Sequence, residues 1–172
     1  MIKIRVAEEK NWDQIWPIVH EVFENGDTYA YPPGTTKAEA YKIWMKSPSA
    51  TYIAIQDGKV LGTYYIKPNQ PALGSHVCNA GYMVSSKARG QGIGRALCSH
   101  SLQEAVKLGF KAMQYNLVVV TNQCAIKLWI DMGFEIIGTL PRAFKHKEMG
   151  LVDAHIMYQI LPESCMKINE KF

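Results

Sequence analysis

The run Arg89-Gly90-Gln91-Gly92-Ile93-Gly94 sets three alternating glycines beside an arginine, a pattern suited to gripping a polyanion. Glycine has no Cβ, so the backbone at such a turn can approach a ligand closely. If a helix opens there, its first N–H groups are unpaired and point outward, and its dipole favours negative charge. Strand, glycine turn and helix together then make an anion site that fits a pyrophosphate. The plainer alternative is a tight strand-to-helix turn with no ligand, against which the arginine and the glycine spacing count.

Two familiar pyrophosphate binders do not match. A phosphate-binding P-loop needs Lys-Ser or Lys-Thr directly after its last glycine, and here Arg95-Ala96 follows. A dinucleotide fingerprint wants G-x-G-x-x-G in the first strand–helix unit, with an acid about 20 residues on. Here the spacing is G-x-G-x-G in mid-chain, and position 114 is Gln.

The elements that must carry this turn follow from periodicity. Residues 2–6 alternate like a strand, and Asn11-Trp12-Asp13-Gln14 reads as a capping box. Ile15, Trp16, Val19, Val22 and Phe23 then recur at helical spacing up to Asn25-Gly26, with Pro17 inside the run. A loop rich in Gly, Pro and Tyr covers 26–35, and a second helix is predicted over 36–46, ending before Pro48. Residues 51–56 and 59–67 flank Asp57-Gly58, a two-residue hairpin signal. Strand 76–84 leads into the glycine turn and a helix over 91–108, closed by Gly109. Strand 112–120, helix 122–131, strand 134–139 and strand 152–161 complete one α/β domain over 1–172.

Composition limits the alternatives. Hydrophobic residues at 48% and charged residues at 20% suit a globular chain rather than a disordered one. No apolar run approaches the roughly 18 residues needed to cross a bilayer, and the N-terminus lacks a signal-peptide core, so no membrane partner is expected. Net charge is +4 without a long basic run, which suits a small anion and gives no footing for nucleic acid. Cys78, Cys98, Cys124 and Cys165 form no C-x-x-C pair. They read as reduced thiols of a cytoplasmic protein, with no metal site.

Two blocks carry a family resemblance. Arg89-x-x-Gly92-x-Gly94 resembles the acetyl-CoA pyrophosphate motif of GNAT acetyltransferases, and Asn122-x-x-Ala125-x-x-Leu128-Trp129-x-x-x-Gly133-Phe134 resembles their second signature. The resemblance implies a single-domain α/β fold with a mixed, mostly antiparallel twisted sheet, split between its fourth and fifth strands and flanked by helices. It implies acetyl-CoA as co-substrate, held by Arg89, Gly90, Gln91, Gly92, Ile93 and Gly94. Its pantetheine arm would pair near Val84 and meet Asn122. Asn122 is also a good helix cap, and the two roles are compatible. Homodimers are common in the family.

Amine acetylation needs a neutral nitrogen, donors for the developing oxyanion, and a fate for the sulfur. Where many of these enzymes carry a Tyr as general acid, this chain has Trp129, whose indole N–H is no proton donor. Tyr82, Tyr115 or water remain open as proton source, and a thiol with pKa near about 8.5 can leave unprotonated. Strand 76–84 holds Asn79 and no carboxylate, and a structural or solvent-facing role is expected for His76 at its start. Backbone N–H groups at the end of that strand are the expected oxyanion donors.

Blocks 65–71, 75–81 and 116–122 are similar to one GNAT subgroup, the yeast L-azetidine-2-carboxylate acetyltransferases. There asparagines, rather than a carboxylate base, line the substrate pocket, and Asn79, Asn116 and Asn122 fall on those positions. The resemblance implies N-acetylation of a small-molecule amine, such as a proline-like imino acid or amino-acid analogue. Acetylation of a protein N-terminus or lysine, and acyl-CoA binding without turnover, are the alternatives. Tyr29 and Tyr31 are expected to pack on the surface, and Lys87, Arg95 and Lys127 to be solvated charges.

Overall fold

β-Branched and aromatic residues run on both sides of Asp57-Gly58, and there the chain folds back on itself. Asp57 and Gly58 both take positive φ, 50° and 76°, as a type I′ hairpin turn requires. In the computed structural model, which describes residues 2–162, this hairpin joins β2 (Ala50–Gln56) to β3 (Lys59–Pro68). With β1 (Lys3–Val6), β4 (Val77–Val84), β5 (Ala112–Val119), β6 (Glu135–His146) and β7 (Gly150–Ile160), they form a seven-stranded sheet ordered β1-β2-β3-β4-β5-β7-β6. Every neighbouring pair is antiparallel except β4 and β5.

Helices cover both faces. α1 (Trp12–Asn25) and α2 (Lys37–Tyr41, continued by a π turn over Lys42–Lys46) bury Ile15, Val19, Phe23, Ala40 and Trp44 against Ile53, Tyr65 and Met83. α3 (Ile93–Lys107) and α4 (Gln123–Asp131) bury Leu97, Cys98, Ala105, Ile126 and Trp129 against the other face. Alternation along β3 serves both cores, with Tyr64 and Ile66 in one and Tyr65 in the other. Among the described residues no helix is long and apolar enough to cross a membrane, and no side-chain group is arranged to hold a metal. Cys78, Cys98 and Cys124 are free thiols, and Cys165 lies outside the described residues.

The expected split is present, and its cause is visible. β4 and β5 pair only through Val77 with Ala112 and Cys78 with Met113. Beyond that point β5 carries a bulge against β7 between Tyr115 and Val118, and a bulge bends its strand. The two strands diverge into a V that opens toward the glycine turn.

Two local expectations are corrected. Asn11 and Gln14 do not cap each other: Asn11 Oδ1 accepts from the Glu8 N–H at 2.9 Å, while Gln14 Oε1 accepts from the Val60 N–H at 3.1 Å. The last two strands run longer than 134–139 and 152–161, meeting in a hairpin tip near 147–149. Pro141 sits within β6 without ending it, because β6 is an edge strand whose register shifts between Leu140 and Phe144.

Candidate active site

The glycine turn is formed as a strand-to-helix connection at the open end of the V. Gly90 and Gly92 take φ of 75° and 76°, and a Cβ built on either would meet nothing within 4 Å. The left-handed conformation selects glycine, and the space in front of both residues is open. The first described backbone bond of α3 runs from the Ala96 N–H to the Gly92 carbonyl at 3.0 Å, so the N–H groups before it lack helical partners. Gly94 has a second task, since a Cβ there would stand 3.3 Å from Leu128 Cδ2; its absence lets α3 approach α4.

These residues border a cleft of about 680 Å³ lined by Val84, Arg89, Gly90, Gly92, Ile93, Gly94 and Asn122, with Arg95 and His146 at its walls. Open glycine backbone, an unpaired helix start, two guanidinium groups and a free strand edge fit a pyrophosphate with an amide-bearing arm. Gln91 stands apart, its amide turned toward the Lys87 carbonyl at 3.4 Å. Arg95 and Lys127 both pair with Asp131, at 3.0 and 3.6 Å.

At the apex of the V, Asn79 bridges the strands that have stopped pairing. Its Nδ2 donates to the Gln114 carbonyl on β5 at 2.9 Å, and its Oδ1 accepts from Tyr65 Oη at 3.3 Å. Asn79 is buried, and these bonds satisfy an amide that would otherwise be costly there. Asn116 belongs to a chain of amides: it accepts from Gln114 Nε2 at 2.9 Å and donates to Asn69 Oδ1 at 2.7 Å. Asn122 caps α4, its Oδ1 accepting from the Ala125 N–H at 3.3 Å.

All three asparagines line a second cavity, of about 320 Å³, inside the V. Tyr29, Tyr31, Tyr65 and Lys67 wall it as well, so the expectation that Tyr29 and Tyr31 pack on the surface is corrected. Tyr29 reaches in because its hydroxyl donates to the Tyr82 carbonyl at 2.9 Å. Gly81 makes room for it, since a Cβ there would stand 2.7 Å from Tyr65 Cε1 and 3.0 Å from Tyr29 Oη. The two cavities share Thr28, Tyr29, Tyr82, Asn122, Ala125 and Trp129.

Trp129 is buried at that junction, with ring centroids 4.9 Å from Tyr82 and 5.0 Å from Tyr115. The tyrosine hydroxyls form a directed chain. Ser101 Oγ donates to the Cys98 carbonyl at 2.8 Å, and its oxygen pairs with Tyr82 Oη at 2.6 Å. Tyr115 Oη in turn donates to Tyr82 Oη at 2.9 Å. Because Ser101 has given its hydrogen to Cys98, Tyr82 donates to Ser101, and both tyrosine protons point into the core. Burial pushes both hydroxyls well above the ordinary tyrosine range, so neither becomes a base. No Asp, Glu or His is among the described residues lining the smaller cavity.

Of the residues singled out in the sequence, Val84, the three asparagines and those of the glycine turn other than Gln91 line one or both cavities. Sequence reasoning missed Lys67, Tyr65, Gly81 and His146 as parts of the walls. Lys67 lay within a block already singled out, but nothing local marked it. His146 falls between the two strands as they were first bounded.

The model of the acetyltransferase (GNAT) family matches residues 12–134, from the start of α1 to the turn after α4. N-acetyltransferase aca1 of Schizosaccharomyces pombe (strain 972 / ATCC 24843) is 42% identical over 156 residues, covering 81% of this chain and 75% of that protein. The structure of a GCN5-related N-acetyltransferase from Kribbella flavida superposes with a TM-score of 0.88 at 43% identity, over 93% of this chain and 98% of that one. A phosphinothricin acetyltransferase of the superfamily from Sinorhizobium meliloti, solved with AcCoA, shares the fold at TM-score 0.83 and 23% identity, over 98% of this chain and 94% of that one. A cleft that fits acetyl-CoA and a match running through both signatures lead to one conclusion: the chain belongs to the acetyltransferase (GNAT) family and is an acetyl-CoA-dependent N-acetyltransferase.

Proposed function

We propose that this enzyme acetylates a small amine of amino-acid type, a proline-like imino acid being the leading candidate. The observation that carries this reading is the size and position of the asparagine-lined cavity. About 320 Å³ suits a small molecule, and six shared wall residues join it to the cofactor cleft. Carboxamides can donate to one group of such an acceptor and accept from another without adding charge.

Acetyl-CoA supplies the acetyl group as a thioester already activated for transfer. The protein's part is to bind and orient. The N–H groups after Gly90 hold the pyrophosphate, and the open β4 edge near Val84 takes the pantetheine amides. N–H groups on that edge are the donors available for charge developing at the acyl oxygen. With no Asp, Glu or His among the described residues lining the acceptor cavity, the amine enters neutral or gives its proton to water. With Tyr82 and Tyr115 bonded into the core, the sulfur leaves as thiolate and is protonated by solvent. Asn79 holds the apex open, Asn116 faces the acceptor, and Asn122 borders both partners. A cytoplasmic location is part of the same proposal, supported by the buried free thiols of Cys78 and Cys98. Homodimerisation belongs to it on the family resemblance alone.

The test is thiol release from acetyl-CoA with L-azetidine-2-carboxylate, proline, other amino acids, polyamines and peptides. Turnover concentrated on imino or amino acids is the expected result. Turnover on peptides alone would overturn the small-amine reading, and silence with acetyl-CoA still bound would argue against both.

A further inference from the structure

The acceptor cavity holds a single charged side chain among the described residues that line it, Lys67 on β3. Lys67 is half-buried and appears in none of the ion pairs among the described residues. Its backbone partner across the β3–β4 ladder is Asn79, and directly opposed residues of an antiparallel pair project on the same face. The ammonium stands 5.4 Å from the centroid of the Tyr65 ring. Tyr65 is paired with Gly81 and its hydroxyl reaches Asn79 at 3.3 Å, so the ring, the ammonium and the Asn79 amide are neighbours on one face of the β3–β4 ladder. The ring face supports the cation but does not neutralise it.

An uncompensated cation in a partly desolvated cavity has two effects on what enters. It attracts an anion strongly, because low local dielectric strengthens the interaction and an ammonium–carboxylate hydrogen bond is charge-assisted. It also repels a second ammonium, which works against diamines and lysine side chains and favours the neutral, nucleophilic form of an amine beside it. An α-amino or imino acid answers both demands, since its carboxylate sits one carbon away from the nitrogen. With the carboxylate on Lys67, the nitrogen is left facing the neutral amides of Asn79 and Asn116.

We infer that Lys67 is the specificity-determining residue of the acceptor cavity, selecting amines that carry a carboxylate next to nitrogen. The inference rests on the small-amine reading and adds to it the group by which the acceptor is chosen. It is tested with acceptors matched in their amine and differing in the acid: L-azetidine-2-carboxylate against its carboxamide, and proline against prolinamide. Each is assayed with the wild type, Lys67→Met and Lys67→Arg. Loss of one charge-assisted hydrogen bond predicts a roughly 10- to 100-fold fall in kcat/KM for the acids in Lys67→Met, mainly through KM, with the carboxamides changed by less than about 3-fold. Lys67→Arg keeps the charge and restores part of the loss. Calorimetry supplies a readout that needs no turnover: N-acetylproline binds the wild type more tightly than N-acetylpyrrolidine, and Lys67→Met erases the difference. Lys67 does not line the cofactor cleft, so acetyl-CoA affinity and melting temperature report that the variants are folded. Equal losses on acids and carboxamides, or none on either, would overturn the role of Lys67. A wild type that prefers carboxamides or diamines would do the same while leaving the small-amine reading intact; activity confined to peptides would remove both.

Discussion

The cofactor cleft draws its anion-facing backbone from one short run, Gly90 to Gly94, whereas the acceptor cavity is walled by Tyr29, Tyr31, Tyr65, Lys67, Asn79 and Asn116, which come from four separate segments. The first is built of backbone. Its key features are two left-handed glycines with open space before them and a helix start with unpaired N–H groups. The second is built of side chains whose positions depend on the sheet, the bulge in β5 and the loop after α1. A backbone site for an invariant co-substrate needs glycine at fixed spacing and leaves a mark in the sequence. A side-chain site can change one wall at a time, and its mark is fainter: Asn79 and Asn116 showed as wall residues through a resemblance, Tyr65 and Lys67 did not.

Four substitutions probe that contrast, in order of expected effect. Gly92→Glu puts a carboxylate at the mouth of the anion site, and like-charge juxtaposition costs several kcal/mol. Acetyl-CoA affinity measured by calorimetry should fall by on the order of 100-fold or more; unchanged affinity would detach the turn from the pyrophosphate. Asn79→Ala leaves the Gln114 carbonyl and Tyr65 hydroxyl without their partner, at a cost of about 1–3 kcal/mol. Melting temperature should drop by several degrees and turnover by roughly 10-fold, with acetyl-CoA binding kept. A lower melting point with normal turnover would make Asn79 purely a clamp.

Gly81→Ala forces Tyr65 and Tyr29 to move, since the added methyl overlaps both. The expected signature is a several-fold rise in KM for the amine that exceeds any change in KM for acetyl-CoA. Equal changes in both would show that the two cavities are not separable at Tyr29. The smallest effect belongs to Asp131→Asn, which releases Arg95 and Lys127 from exposed pairs. Stability should shift by no more than about 0.5 kcal/mol, and acetyl-CoA should bind slightly tighter because Arg95 then turns its full charge on the cleft. Weaker binding would mean that Asp131 positions Arg95 for the anion.

What could be read from the sequence was whatever is decided within a few residues. Asp57-Gly58, Gly109 and the Asn122 cap each answer a local backbone requirement, and each was legible. So was the split, through the resemblance of the glycine turn and of the Asn122 block. Asn11 and Gln14 had the right spacing for a capping box, yet each found a partner outside α1: Asn11 the Glu8 N–H of the turn just before it, and Gln14 the distant Val60 N–H. The strand expected over 134–139 stopped short of Pro141, whose tolerance within β6 depends on lying at an edge, which only the topology reveals. Tyr29 and Lys67 gained their roles from residues more than ten positions away, Tyr82 and Asn79, and no helical or strand period links the members of either pair.

The opening between β4 and β5 also bears on how the protein stays out of trouble with its neighbours. Strand edges with bare N–H and C=O groups invite other chains to add on, which is a route to aggregation. Here such an edge lies in the middle of the sheet, walled by α4 residues on one side and by Tyr29 on the other, whose hydroxyl occupies the Tyr82 carbonyl at 2.9 Å. The fold thus places one unfinished ladder in the middle of the sheet rather than at its rim, where another copy would meet it.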